Sequence, residues 1–264
     1  MPVSSQNSTH RLAVDESGYT LIELLVSISI GMIVILGAFA FLQFTSEDVA
    51  RTTDRIHVDQ AGRTQLERMM LELQSACVAP SVTPIQTKSS STVLRFISGT
   101  GSESTLSTVY LREIVYTPES GSTQGTLVET AYPSTSTVNS NGEYKFSSTG
   151  TTRTLLKGIR QTKEVGKTEA SRPIFQYYRY YQKTDAKPEY GVLNETPVPT
   201  PLTEEKQVEN LTKVTVSFTL APEGKEANTF AKDRPVAFED SAVFRLASPS
   251  EAPNNPNQPC ANQT

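Results

Sequence analysis

The chain has 264 residues, a length that allows one or two domains, and its 36% hydrophobic and 20% charged content is enough for a packed core. Its 24 basic against 28 acidic side chains leave a net charge of −4, which speaks against a general nucleic-acid coat and leaves room only for a local basic patch. Much of the apolar content sits in one stretch near the N-terminus, so the remainder is more polar than the average, rich in Ser and Thr, as suits a solvated extracellular β domain.

That apolar stretch, residues 19–42, decides where the chain can live. Residues 24–42 form a run of 19 residues without a charge, roughly 28 Å of helix and close to the thickness of a bilayer's hydrocarbon core. Glu23 stands at its edge. A carboxylate in the hydrocarbon costs roughly 2.5 to 3.5 kcal/mol at mid-depth if unpaired, so it needs a partner.

The sequence Gly18-Tyr19-Thr20-Leu21-Ile22-Glu23-Leu24 resembles the cleavage and methylation motif of type IV prepilins and type II secretion pseudopilins. The resemblance implies that a prepilin peptidase cuts after Gly18, that residues 1–18 are a leader peptide, and that Tyr19 becomes an N-methylated terminus. It also implies that Glu23, fifth in the mature chain, neutralises the terminal amine of a neighbouring subunit during assembly. A cation and an anion that are each costly in lipid are tolerated there as a pair. Two departures stand out: Tyr19 replaces the usual phenylalanine or methionine, and Asp15, Glu16 and Ser17 replace basic residues, leaving Arg11 as the leader's only strong cation. A secretory signal peptide cleaved at Ala38-Phe39-Ala40 and a plain signal anchor are the alternatives. The first leaves Glu23 unexplained, and its apolar core would be too long.

Beyond Leu42 the pattern turns amphipathic. Val49, Thr52 and Ile56, then Leu66, Met69 or Met70, Leu73 and Cys77, mark one stripe, with Glu47/Arg51, Asp59/Arg63, Arg63/Glu67 and Arg68/Glu72 as i,i+4 pairs on the other face. This predicts one helix over residues 19–77, about 87 Å long at 1.5 Å per residue, ending before Pro80, with Gly31, Gly37 and Gly62 as its weak points.

Residues 78–247 read as a β domain. Strands are predicted at 92–98, 108–116, 126–132 and 143–146, with a loose hairpin over 127–146 and an exposed loop at 133–140. Residues 153–159 are ambiguous and 161–172 read as a charged loop. Strands follow at 174–181 and 190–193, then the connector Thr-Pro-Val-Pro-Thr-Pro at 196–201 and a short helix over 202–211 capped by Thr203. In 213–220, Val214, Val216, Phe218 and Leu220 alternate with Lys213, Thr215, Ser217 and Thr219, predicting a sheet with one wet face. Ala242, Phe244 and Leu246 repeat the alternation, and residues 248–264 form a Pro/Asn-rich tail without regular structure.

The expected fold class is therefore α+β, a long N-terminal helix followed by an antiparallel β-sheet domain. This layout resembles the J-class minor pseudopilins, which implies a non-catalytic subunit at the tip of a short filament. The partners so implied are sibling pilins, the prepilin peptidase, the membrane and an assembly platform. The location so implied is a single pass through the cytoplasmic membrane, with the C-terminal domain outside.

Cys77 and Cys260, the only cysteines, would both lie outside the cytoplasm, where disulfides persist, and are expected to pair; two free thiols are the alternative. His10 and His57 read as solvated side chains, and neither a zinc shell, a nucleophile elbow nor a phosphate loop is present, so no cofactor and no catalysis are expected. Tyr177, Tyr178, Arg179, Tyr180 and Tyr181 interleave aromatic and basic groups as a surface for single-stranded nucleic acid or another ligand would. A half-buried strand accounts for the same pattern.

Overall fold

A computed structural model describes residues 20–76, 83–100, 108–121, 124–136, 144–162, 172–181, 192–221 and 235–244. The chain divides into two units, Met1–Arg51 and Thr52–Thr264, and the helix α1 (Leu21–Gln74) contributes residues to both.

In the first unit α1 carries no charged side chain from Leu24 to Leu42. Its most apolar 18-residue window has a mean hydropathy of 2.6 with none of it buried, long and apolar enough to cross a membrane. Three hydroxyls here bond within the helix. Ser27, Ser29 and Thr45 donate to the carbonyls of Glu23, Leu25 and Phe41 at 2.8, 2.8 and 2.9 Å, so these three hydroxyl protons are not desolvated alone.

The second unit is the β domain, with the distal part of α1 as its helix. Eight strands are described: β1 (Val93–Thr100), β2 (Thr108–Pro118), β3 (Gly125–Ser136), β4 (Lys145–Phe146), β5 (Thr151–Arg160), β6 (Phe175–Arg179), β7 (Leu211–Leu220) and β8 (Val236–Val243). Every pairing among them is antiparallel, in the order β1-β2-β3-β5-β7-β6, with β4 on β3 and β8 on the far side of β7. The expected fold class is thus observed.

One face of the sheet and the stripe Gly62, Leu66, Met69, Met70 and Leu73 of α1 close the core around Phe96, Ile114, Leu127, Ile159, Phe175, Val214, Val216 and Phe218. Burial of this apolar surface is what holds the distal helix to the sheet. A smaller cluster on the other face joins Ile97, Val109 and Leu111 to Tyr132, Tyr144 and Phe146.

Several expectations are corrected. Val49 and Ile56 are exposed, so the buried stripe begins at Gly62. Glu72 does not stay on the solvent face but turns to the sheet, as described below. Pro133–Ser136 extend β3 and pair with β4 where a loop was expected. The ambiguous segment at 153–159 is the strand β5. The short helix α2 is confined to Glu205–Glu209 with Glu204, not Thr203, as its N-cap; the Gln207 side chain accepts from the amides of Thr203 and Glu204 at 2.9 and 3.2 Å. The last strand, β8, starts at Val236, six residues before Ala242.

The wet face expected on β7 is buried. Thr215 and Ser217 are 2% and 0% exposed. Their cover can be traced through the register. Gln176 on β6 lies opposite Thr215 and Glu239 on β8 lies opposite Ser217. Arg172 donates to both flanks, to Gln176 at 2.9 Å and to the two Glu239 oxygens at 2.6 and 2.7 Å, so its guanidinium crosses β7 over these small side chains. The Glu239 hydrogen bonds and charge, opposed by burial, raise the Arg172 pKa.

Candidate functional site

The first candidate is the start of α1. Thr20 is followed three residues later by Glu23, the sequence pattern of a capping box, and the Thr20 hydroxyl accepts the Glu23 amide at 3.3 Å while the Thr20 carbonyl accepts it at 3.0 Å. Glu23 therefore occupies the first turn, where the exposed amides of the helix favour a negative charge. Its carboxylate has no hydrogen-bond or ion-pair partner among the described residues. Gly18 and Tyr19 lie outside the described residues, as do residues 1–17, Cys77 and Cys260. Thr20 as the cap is a role that sequence reading passed over, although the spacing Thr20-x-x-Glu23 signals it.

The second candidate is the tyrosine run on β6. Tyr177 faces the core with no exposure, and its hydroxyl reaches the carbonyls of Ser90 and Val93 at 3.1 and 2.8 Å. Burial pushes that hydroxyl's pKa far above its ordinary value, so it is a neutral core donor that ties β6 to the start of β1. Tyr178 points to the other face, half-buried, with the Lys213 ammonium 5.2 Å above its ring and its hydroxyl 3.3 Å from Gln176. Arg179 and Tyr181 are half-buried, and Tyr180, 39% exposed, bridges to Leu193. The alternation of the strand thus sends Tyr177 and Tyr178 to opposite faces, while the register shifts at Arg179, and Tyr180 and Tyr181 lie beyond β6. Their outer edge is also covered: Tyr177 and Arg179 carbonyls accept the amides of Val198 and Asn194 at 2.7 and 2.9 Å.

A third constellation escaped sequence reading. Glu129 of β3, 1% exposed, accepts from Arg112 of β2 at 2.5 Å and from Arg153, its direct cross-strand neighbour on β5. Glu72 of α1 closes the group, 3.3 Å from Arg112 and 3.0 Å from Arg153, with Arg68 at 3.1 Å on its outer side. Arg112 also donates to Ser98 of β1 at 2.8 Å. Burial alone would lower the Arg153 pKa, but the Glu129 and Glu72 hydrogen bonds and charges outweigh it and raise it. With each of its charges paired, this is a joint between helix and sheet. His57, with Asp54 and Lys157, borders a separate open cleft of about 430 Å³ between α1, β5 and β7. Among the described residues no group of three or more His, Cys, Asp or Glu is placed to hold a metal.

The prokaryotic N-terminal methylation motif matches residues 15–39 of the chain. Neither the curated proteins nor the solved structures hold a match to it. The motif and the apolar helix that carries it fit a type IV pilin or pseudopilin.

Proposed function

We propose that the chain is a structural subunit of a type IV pilus-like or type II secretion filament, and within that class a minor pseudopilin of J-like layout that initiates or tips the filament. The observation that carries the reading is the methylation motif at residues 15–39 on a lipid-compatible helix whose Glu23 carboxylate is unpartnered among the described residues. An unpaired acid at the head of an apolar helix is a cost for a simple anchor. It becomes favourable when the amine of Tyr19 in a neighbouring subunit meets it. In this reading the β domain lies on the extracytoplasmic side, and the chain works through association rather than through catalysis.

Glu23→Ala separates assembly from anchoring. Membrane insertion should be kept or improved, because a costly group leaves the lipid. Co-purification of sibling pilins from membranes should fall sharply, because a buried amine without its counter-charge costs about 3 to 5 kcal/mol. Glu23→Gln should show the same defect more mildly. If Glu23→Ala inserts and co-assembles like the parent chain, the chain is a non-polymerising anchored ectodomain.

A further inference from the structure

The triplet Asn-x-Ser/Thr is the acceptor pattern for an N-linked oligosaccharide, because a transferase must reach the asparagine amide and the hydroxyl two residues on together. Among the described residues it occurs at Asn194-Glu195-Thr196 and at Asn210-Leu211-Thr212. By sequence the two are equivalent. The fold separates them.

At the second triplet the chain runs from the end of α2 straight into β7. Asn210 is exposed, but its side-chain amide donates to the Lys206 carbonyl at 3.0 Å. Leu211 and Thr212 are 0% and 1% exposed as the first residues of β7, so the Thr212 hydroxyl is sealed in the sheet. To reach it an enzyme would have to strip Leu211 from Arg179 and Thr212 from Phe244.

The first triplet lies on the segment that follows the outer edge of β6. The backbone N–H of Asn194 donates to the Arg179 carbonyl at 2.9 Å and that of Val198 to the Tyr177 carbonyl at 2.7 Å, so the segment is pinned at both ends. Between these points Glu195 and Thr196 are exposed. Asn194 Oδ1 accepts the Thr196 amide at 2.9 Å, which holds the asparagine side chain beside the residue that bears the hydroxyl. The Asn194 NH2 and the Thr196 hydroxyl have no hydrogen-bond partner among the described residues.

We propose that Asn194 is an N-glycosylation site and that Asn210 is not. The donor class is an oligosaccharide carried on a polyprenyl diphosphate. The bond from Asn194 Nδ2 to C1 of the first sugar forms as the C1–O bond to the diphosphate breaks. The carrier leaves as its diphosphate, and the proton lost by the amide balances the charge released; nothing is oxidised or reduced. The proposal rests on the filament reading in one respect, that the β domain lies outside the cytoplasm. A glycan at Asn194 would shield Val192 and Tyr180, which are 47% and 39% exposed beside it, Tyr180 through its bridge to Leu193.

The test is peptide mapping by mass spectrometry of the full chain isolated from its own cells. Peptides that contain Asn194 should carry an oligosaccharide on that side chain, and peptides that contain Asn210 should not. Thr196→Ser keeps the acceptor hydroxyl and should keep the glycan, whereas Thr196→Ala should lose it. Neither change removes a side-chain hydrogen bond among the described residues, so loss of the glycan would not reflect misfolding. A bare Asn194 overturns the proposal, and so does a glycan on Asn210 or one that persists at Asn194 in Thr196→Ala. The N-terminal peptide of the same digest reports on the filament reading separately. A chain that begins at Tyr19 with a bare Asn194 sinks the glycan alone, while a chain that keeps residues 1–18 sinks the filament reading whatever Asn194 carries.

Discussion

At the scale of single residues, a close fit joins Gly62 of α1 and Phe238 of β8. A Cβ built on Gly62 would stand 2.3 to 2.8 Å from three atoms of the Phe238 ring, and that ring is itself buried and stacked on Phe218, so it has little room to retreat. Gly62→Ala gains about 1 kcal/mol of helix propensity and loses about 1 to 3 kcal/mol to overpacking. Net destabilisation in denaturant is the expected outcome, with Phe238→Leu partly rescuing it in the double variant. A stabilised Gly62→Ala would show that the ring yields freely. Read from sequence, Gly62 is only a weak point in a helix, because its partner lies far along the chain and no local pattern announces a close approach. Glu23 was legible for the opposite reason: a lone charge beside an uncharged apolar run stands out without any tertiary knowledge.

At the scale of elements, period-2 and period-3.6 patterns located most strands and the long helix, but not what lay on each face. Thr215 and Ser217 look like solvent-facing residues until Gln176 of β6, Glu239 of β8 and Arg172, which precedes β6, are brought over them. Tyr177 and Tyr178 look like one aromatic surface until the pleat sends them to opposite sides. The ionic joint is the strongest case, since Glu72, Arg112, Glu129 and Arg153 come from four elements and read as ordinary surface charges. Glu129→Gln should destabilise the β domain by about 3 to 5 kcal/mol, because two guanidiniums then lose their shared buried partner. Arg68→Ala, at the exposed end of the same group, should cost less than about 1 kcal/mol. Chemical denaturation followed by tyrosine fluorescence compares the two, and equal effects would mean that Glu129 is not the keystone of the joint.

At the scale of the whole molecule, the division between Arg51 and Thr52 falls inside α1, so one continuous helix serves two environments. Residues 24–42 carry no charge, and none of the most apolar 18-residue window is buried within the chain, whereas from Gly62 onward a single stripe is buried against the sheet. The apolar half was readable from composition, but the start of the buried stripe was not, since Val49 and Ile56 carry the same helical spacing and stay exposed. Residues 1–19 and the two cysteines lie outside the described residues, so their part in the account rests on sequence. The central claim, that the chain enters the membrane as a prepilin-type subunit, is tested most directly by the mass of the mature protein isolated from cells that carry the prepilin peptidase. The account predicts a chain that begins at Tyr19 with a methylated amine. A chain that retains residues 1–18, or one that begins at Phe41 after signal-peptide cleavage, would contradict it.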